Sequence, residues 1–271
     1  MAILGAGSMG TVLAEGIIRK GVFDAKDVSV TGRGKTENLA KLHSLGAEVE
    51  QGNCSAVEKS GIVILCVKPK DMGSLLNELG DACRGKLVVS IAAGVSIGTI
   101  SRRLAGARVV RTMLNVCVEA GKSATAICYG GKARAEDRLE TERIFSGFGM
   151  VLGATQKQMA AFTALAGCMP ALLFELMGRL EKFASERGFS AEVSRELAAQ
   201  VFEGSSQVFR ASKKGSTELV RSVMSKRGAT ERMFESLDGA GFFEAFTPAL
   251  AEAETRTEEL GREINGVMKK E

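Results

Sequence analysis

The stretch Ile3-Leu-Gly-Ala-Gly-Ser-Met-Gly10 decides the fold: an apolar run enters three glycines spaced G-x-G-x-x-G, and Thr11-Val-Leu-Ala-Glu-Gly-Ile-Ile18 follows at helical spacing. Gly5 permits a tight strand-to-helix turn, Gly7 lets the backbone approach a pyrophosphate, and Gly10 lets the helix pack close against the strand. The helix N-terminus, with unpaired amides and a partial positive charge, faces the same place. Together these features predict a dinucleotide site at the start of an α/β domain.

Working outward, Val28-Ser-Val-Thr31 reads as the second strand, whose tip selects the cofactor. A carboxylate there means NAD. Gly32-Arg-Gly-Lys-Thr36 offers instead two cations, Arg33 and Lys35, and a hydroxyl, which suit a 2′-phosphate. NADP is therefore expected, with NADPH preferred over NADH; a solvated loop is the alternative. A phosphate-binding P-loop is set aside, because Ser29 stands where that pattern needs a glycine.

A helix is expected over 37–45 and a short strand near Ala47. The only histidine, His43, falls on the polar run of that helix, so histidine acid–base chemistry is not expected. Ile62-Val-Ile-Leu-Cys-Val67 is a continuous apolar run, as in a strand buried on both faces, and Lys68-Pro69 ends it. Leu87-Val-Val-Ser-Ile-Ala-Ala93 and Arg108-Val-Val-Arg-Thr-Met113 are two more strands. Ala92, Ala93 and Gly94 would let a flat ring approach the backbone, or would serve helix packing. A charged helix over 134–145 and a strand over 148–152 complete a Rossmann-like domain, 1–154.

No strand signal follows. Residues 155–271 read as an all-α domain: Leu172, Leu173, Leu176, Met177, Leu180 and Phe183 share one face, and Leu197, Val201, Phe202, Val208 and Phe209 another. Gly188-Phe-Ser190, Gly215-Ser216 and 239–241 are the breaks. Such wide apolar stripes predict burial against a second copy.

Composition predicts a soluble protein. The chain has 271 residues, 45% of them hydrophobic, and no uninterrupted apolar run is read as a membrane span. With no secretory leader expected either, a cytoplasmic protein is predicted. The six cysteines form no C-x-x-C pair, so neither a disulfide framework nor a metal site is expected. A net charge of +4 with no tryptophan and one tyrosine argues against nucleic acid as partner.

Ser225-Lys-Arg-Gly-Ala-Thr230, followed by Gly239-Ala-Gly-Phe242, resembles the substrate loop of the pyrroline-5-carboxylate reductase family. The resemblance extends over nearly the whole chain, through Gly5-Ala-Gly-Ser-Met-Gly10, Asn53, Val67-Lys-Pro69, Ser90-Ile-Ala-Ala-Gly-Val-Ser-Ile97 and Arg111-Thr-Met-Leu-Asn115. It implies a homodimer or a ring of dimers, and hydride transfer from NADPH to the C=N carbon of a cyclic imino acid, giving proline. Carried over residue by residue, it assigns Gly5, Gly7, Ser8, Met9 and Gly10 to the pyrophosphate and Asn53 to the adenosine ribose. Val67, Lys68 and Pro69 would lie along the cofactor, with Ala92 and Ala93 toward the nicotinamide, and Asn115 would be a further cofactor contact. Ser225, Gly228, Ala229 and Thr230 would hold the substrate, with the Thr230 hydroxyl as the catalytic contact to the imine nitrogen. Thr230 as the N-cap of the next helix is the competing reading.

The chain also departs from the family pattern. Met113-Leu-Asn-Val-Cys117 stands for a Met-Pro/Thr-Asn-Thr-Pro run, Ala166-Gly-Cys-Met-Pro-Ala-Leu172 for Ser-Gly-Ser-Gly-Pro-Ala-Tyr, and Lys226-Arg227 for Pro-Gly. These changes leave open a divergent paralogue acting on another imine, or a non-catalytic NADP-binding regulator. A β-hydroxyacid dehydrogenase is disfavoured, because 163–175 contains neither the lysine nor the asparagine that chemistry needs.

Overall fold

The computed structural model describes residues 1–34 and 36–270. Among them the chain forms one sheet of eight strands: β1 (Ala2–Leu4), β2 (Ser29–Thr31), β3 (Glu48–Val49), β4 (Ile62–Leu65), β5 (Leu87–Ser90), β6 (Arg108–Met113), β7 (Ser123–Tyr129) and β8 (Gly149–Gly153). Their order is β3-β2-β1-β4-β5-β6-β7-β8. The first six are parallel, β7 runs antiparallel to β6, and β8 is parallel to β7. The order reverses between β1 and β4, and a crevice opens at the carboxyl ends of the strands there.

Helices cover both faces of the sheet. They are α1 (Ser8–Arg19), α2 (Thr36–Ser44), α3 (Asn53–Glu58), α4 (Met72–Leu79), α5 (Ile97–Arg103) and α6 (Ala135–Ser146). Strand alternation sorts the core into two layers. Ile3, Ile64, Val89 and Val110 pack with Leu13 and Ile17 of α1 and Phe145 of α6. Leu4, Leu65, Val88 and Val109 pack with Leu75 and Leu76 of α4 and Ile100 of α5.

After Gly153 the described residues are helical: α7 (Gln158–Phe162), a π-helical turn (Thr163–Cys168), α8 (Met169–Ser185), α9 (Ala191–Ala211), α10 (Ser216–Ser222), α11 (Ala229–Gly239) and α12 (Phe242–Lys270). Two compact units result, one being Met1–Gly167 with the segment from Ala253 onward, the other Cys168–Glu252. This differs from a division at 154/155, because the end of α12 returns to the sheet: Met268 is buried, and Ile264 packs, in the layer containing Val95 and Ile100. In the second unit, α8 and α9 form a hairpin. Gly188 turns at φ +89° and Ser190 caps α9, its hydroxyl accepting from the Val193 amide at 3.3 Å.

One expectation is corrected. Gln158–Ser185 is a continuous helical stretch of 28 residues whose best window has a mean hydropathy of 1.7, long and apolar enough to meet the measure of a membrane span. Only 22% of that window is buried within the chain, and Leu165, Phe174 and Leu180 are exposed along it.

Candidate active site

The glycine turn is built as its spacing requires. Gly5 has φ +111°, and a Cβ there would lie 2.9 Å from the Cys66 carbonyl carbon; a Cβ on Gly10 would lie 2.0 Å from the Gly5 oxygen. Any side chain at either position would drive β1, β4 and α1 apart. Gly7, the N-cap of α1, has open space around it, and the first turn of α1 carries no acidic residue. Exposed Ser8 and half-buried Met9 begin that turn. The amides of Gly5 and Ala6 donate to the Thr31 carbonyl at 3.1 and 2.8 Å, which ties the turn to β2. An open, positively polarised helix end beside a Cβ-free backbone is a place for a pyrophosphate.

This turn is one wall of a cleft of about 540 Å³, whose other walls include Arg33, Gln51, Asn53, Val67, Lys68 and Glu78. Pro69 opens the short 3₁₀ turn Pro69–Asp71 immediately beyond. Lys35 lies outside the described residues. At the tip of β2 a chain of polar groups runs across the cleft. The Thr31 hydroxyl donates to Asn53 Oδ1 at 2.6 Å, and Asn53 Nδ2 donates to both carboxylate oxygens of Glu78 at 3.0 Å. Arg33 Nη2 stands 3.8 Å from Glu78 Oε2. Sequence reasoning missed Glu78: β2 ends without a carboxylate, but α4 delivers one to the same place. Cys66 also lines the cleft, and desolvation raises its thiol pKa, so it is no thiolate nucleophile near neutral pH.

Ala92 and Ala93, expected toward the nicotinamide, and Asn115, expected at the cofactor, do not line this cleft. Ala92 is buried and Ala93 exposed just past β5. Next to them Gly94 is taken up by helix packing, since a Cβ there would meet Ile264 Cδ1 at 3.1 Å and Gly261 Cα at 3.4 Å. The Asn115 carboxamide is engaged structurally, accepting from the Cys117 amide at 3.1 Å and donating to the Ala166 carbonyl at 2.8 Å. It thereby fixes the end of β6 to the π-helical turn, a distortion often kept where a helix serves a site. Gly167 in that turn lies against Met113, whose Cε would be 3.0 Å from an added Cβ.

In the second unit, Ser225 to Gly228 form a tight turn closed by the Gly228 amide donating to the Ser225 carbonyl at 2.9 Å. A Cβ on Gly228 would lie 2.2 Å from Ser225 Oγ. Arg227 is the one non-glycine residue with positive φ among those described, at +59°, and its amide donates to Glu231. Gly228 is the N-cap of α11, with no side-chain cap. Ala229 and Thr230 are therefore the first two helical residues, and the reading of Thr230 as N-cap is overturned. Ser225 is exposed and Thr230 half-buried.

Comparison with known proteins finds two matching family models. Residues 156–260 match the family model described as pyrroline-5-carboxylate reductase dimerisation, and residues 1–94 match one described as NADP oxidoreductase coenzyme F420-dependent. The pyrroline-5-carboxylate reductase of Methanosarcina acetivorans is 32% identical over 264 residues, covering 97% of this chain and 98% of that protein. The pyrroline-5-carboxylate reductase structure from Coxiella burnetii is similar with a TM-score of 0.85 at 27% identity, covering 96% of this chain and 97% of its own. The fold also matches that of the Plasmodium falciparum pyrroline carboxylate reductase solved with NADP bound, with a TM-score of 0.89 at 24% identity over 96% of this chain and 97% of that one.

Proposed function

The chain belongs to the pyrroline-5-carboxylate reductase family, and from that premise we propose that it reduces 1-pyrroline-5-carboxylate to proline, using NADPH. The observation that carries the reading is the cradle of Gly5, Gly7 and Gly10, free of side chains at the open end of α1. When bound there, NADPH supplies the hydride. The protein has little other chemistry to do: a protonated imine needs no nucleophile, and the enzyme's task is to hold two ligands in contact. Neither exposed His43 nor Cys66 is called on.

In this reading the α1 amides hold the pyrophosphate, Asn53 holds the adenosine ribose, and Arg33 with Lys35 meets the 2′-phosphate. The Ser225 hydroxyl and the amides of Gly228 and Ala229 hold the substrate carboxylate, while the Thr230 hydroxyl bonds the imine nitrogen. The working form is a homodimer or a ring of dimers. The six free cysteines suit the reducing cytoplasm.

Purified protein mixed with NADPH and pyrroline-5-carboxylate should consume NADPH, seen as falling absorbance, with proline as product. Consumption with other cyclic imines but not this one would mark a divergent paralogue acting on another substrate. NADPH binding without consumption of any would mark a regulator.

A further inference from the structure

A second cleft of about 550 Å³ lies on the first unit, walled by α5, β6, the start of α7 and α12. It shares no lining residue with the cofactor cleft. Five cations face it, Arg102, Arg111, Lys157, Arg262 and Lys269, against one acid, Glu258. We propose that this cleft binds a small multivalent oxyanion of the phosphate class.

Arg111 carries the argument. Alternation along β6 places it on the α5 face of the sheet, and it is 4% exposed. Its Nε has no hydrogen-bond partner, and among the described residues no carboxylate pairs with its guanidinium. Desolvation holds its pKa below the ordinary arginine value. Buried guanidinium groups are ordinarily matched to a carboxylate or a phosphate, because an unmatched buried charge is costly. Here the neighbours compound the charge, and none of the other four cations is ion-paired among the described residues. A planar donor fork at the base of a basic cleft is suited to bidentate contact with an oxyanion.

The walls are fixed in advance. Asn265 Oδ1 accepts from the Ser96 amide at 3.0 Å and the Thr99 hydroxyl at 2.6 Å, and its Nδ2 donates to the Gly94 carbonyl at 2.8 Å and to Gly261. Asn265 thus fastens α12 beside the start of α5, and Gly94 and Gly261 allow the close approach. Arg102 Nη2 donates to the Thr99 hydroxyl at 3.1 Å, which orients its guanidinium. The polar groups that fasten the walls are satisfied by one another, so the unmatched charge is left for a ligand.

The test is calorimetric titration of the full chain, saturated with NADP⁺ so that the cofactor cleft is filled, with inorganic phosphate. Sodium chloride at matched ionic strength is the control. Saturable phosphate binding at one site per chain is expected, and Arg111→Met should abolish it. Should Arg111→Met fail to fold, the surface double variant Lys157→Ser, Arg262→Ser carries the test: about a tenfold loss of phosphate affinity is expected from two missing charge-assisted contacts, with NADPH binding unchanged. Phosphate heats no larger than those of chloride, or affinity unaltered in the double variant, would overturn the proposal. A cleft closed by a second copy of the chain would give the first of these results.

Discussion

Glu78 is the residue that most changes the account of cofactor choice. Its carboxylate receives both bonds from Asn53 and stands 3.8 Å from Arg33; under the proposed function it would compete with a 2′-phosphate for that guanidinium. Arg33→Ala should raise the KM for NADPH roughly tenfold, about 1.5 kcal/mol for a charge-assisted contact, and leave the KM for NADH nearly unchanged. Glu78→Gln retains an acceptor for Asn53 and removes the competing charge. It should improve NADPH over NADH by about 0.5–1 kcal/mol, a two- to fivefold change in the ratio of kcat/KM values, the modest size reflecting an exposed pair. An unchanged ratio would remove Glu78 from cofactor selection. Thr230 now also has a cleaner test. Because Gly228 holds the N-cap, Thr230→Ala removes no cap and should shift stability by less than about 0.5 kcal/mol. Turnover should nevertheless fall about tenfold or more for the loss of one hydrogen bond to a charged partner. Intact turnover in this variant would end the catalytic assignment.

At the level of elements, the turn that introduces α11 is under strain that the family's usual Pro-Gly would not bear. Arg227 adopts φ +59°, where a Cβ meets backbone and costs about 1 kcal/mol or slightly more, and glycine does not. Arg227→Gly should therefore raise the unfolding free energy by up to about 1 kcal/mol, part of the gain being lost to the freer unfolded chain. Denaturant unfolding measures it, and a loss of stability would show that the arginine side chain itself supports the turn. The glycine turn, the parallel strands with continuous apolar runs, and the breaks at Gly188 and 239–241 were legible in the sequence because each rests on a local rule of spacing or backbone freedom. The strand β7 was not, since Ser-Ala-Thr-Ala-Ile-Cys-Tyr carries few branched residues and owes its place to pairing with β6 and β8. Glu78 and the return of α12 to the sheet were illegible for a related reason: only tertiary packing brings α4 to the tip of β2, or Met268 to the layer beside Ile100.

For the molecule as a whole, exposed apolar stripes run along the helices of the second unit. Along α9, Leu197, Val201 and Val208 recur at intervals of four and seven residues, which places them on one stripe, and they are 44%, 56% and 59% exposed. On α8, Phe174, Leu180 and Phe183 are exposed as well, at 57%, 42% and 55%. A lone chain in water would gain nothing from such stripes, whereas a helical dimer would bury them at about 25 cal/mol for each Å² removed from water. Residues 156–260 match the family's dimerisation model, which supports a second copy as the occupant expected for the stripe. The protein should therefore run as a dimer or a larger assembly by light scattering at micromolar concentration. Val201→Asp with Val208→Asp places two charges in the stripe while leaving α9 amphipathic. The pair should weaken association by about 3 kcal/mol or more, roughly a hundredfold or greater in Kd. Circular dichroism should still report folded helices, and reductase activity should fall with the dimer, recovering as protein concentration rises. If the double variant runs as the same assembly as the parent, the interface lies on another face; if the parent is an active monomer, the dimer itself is excluded.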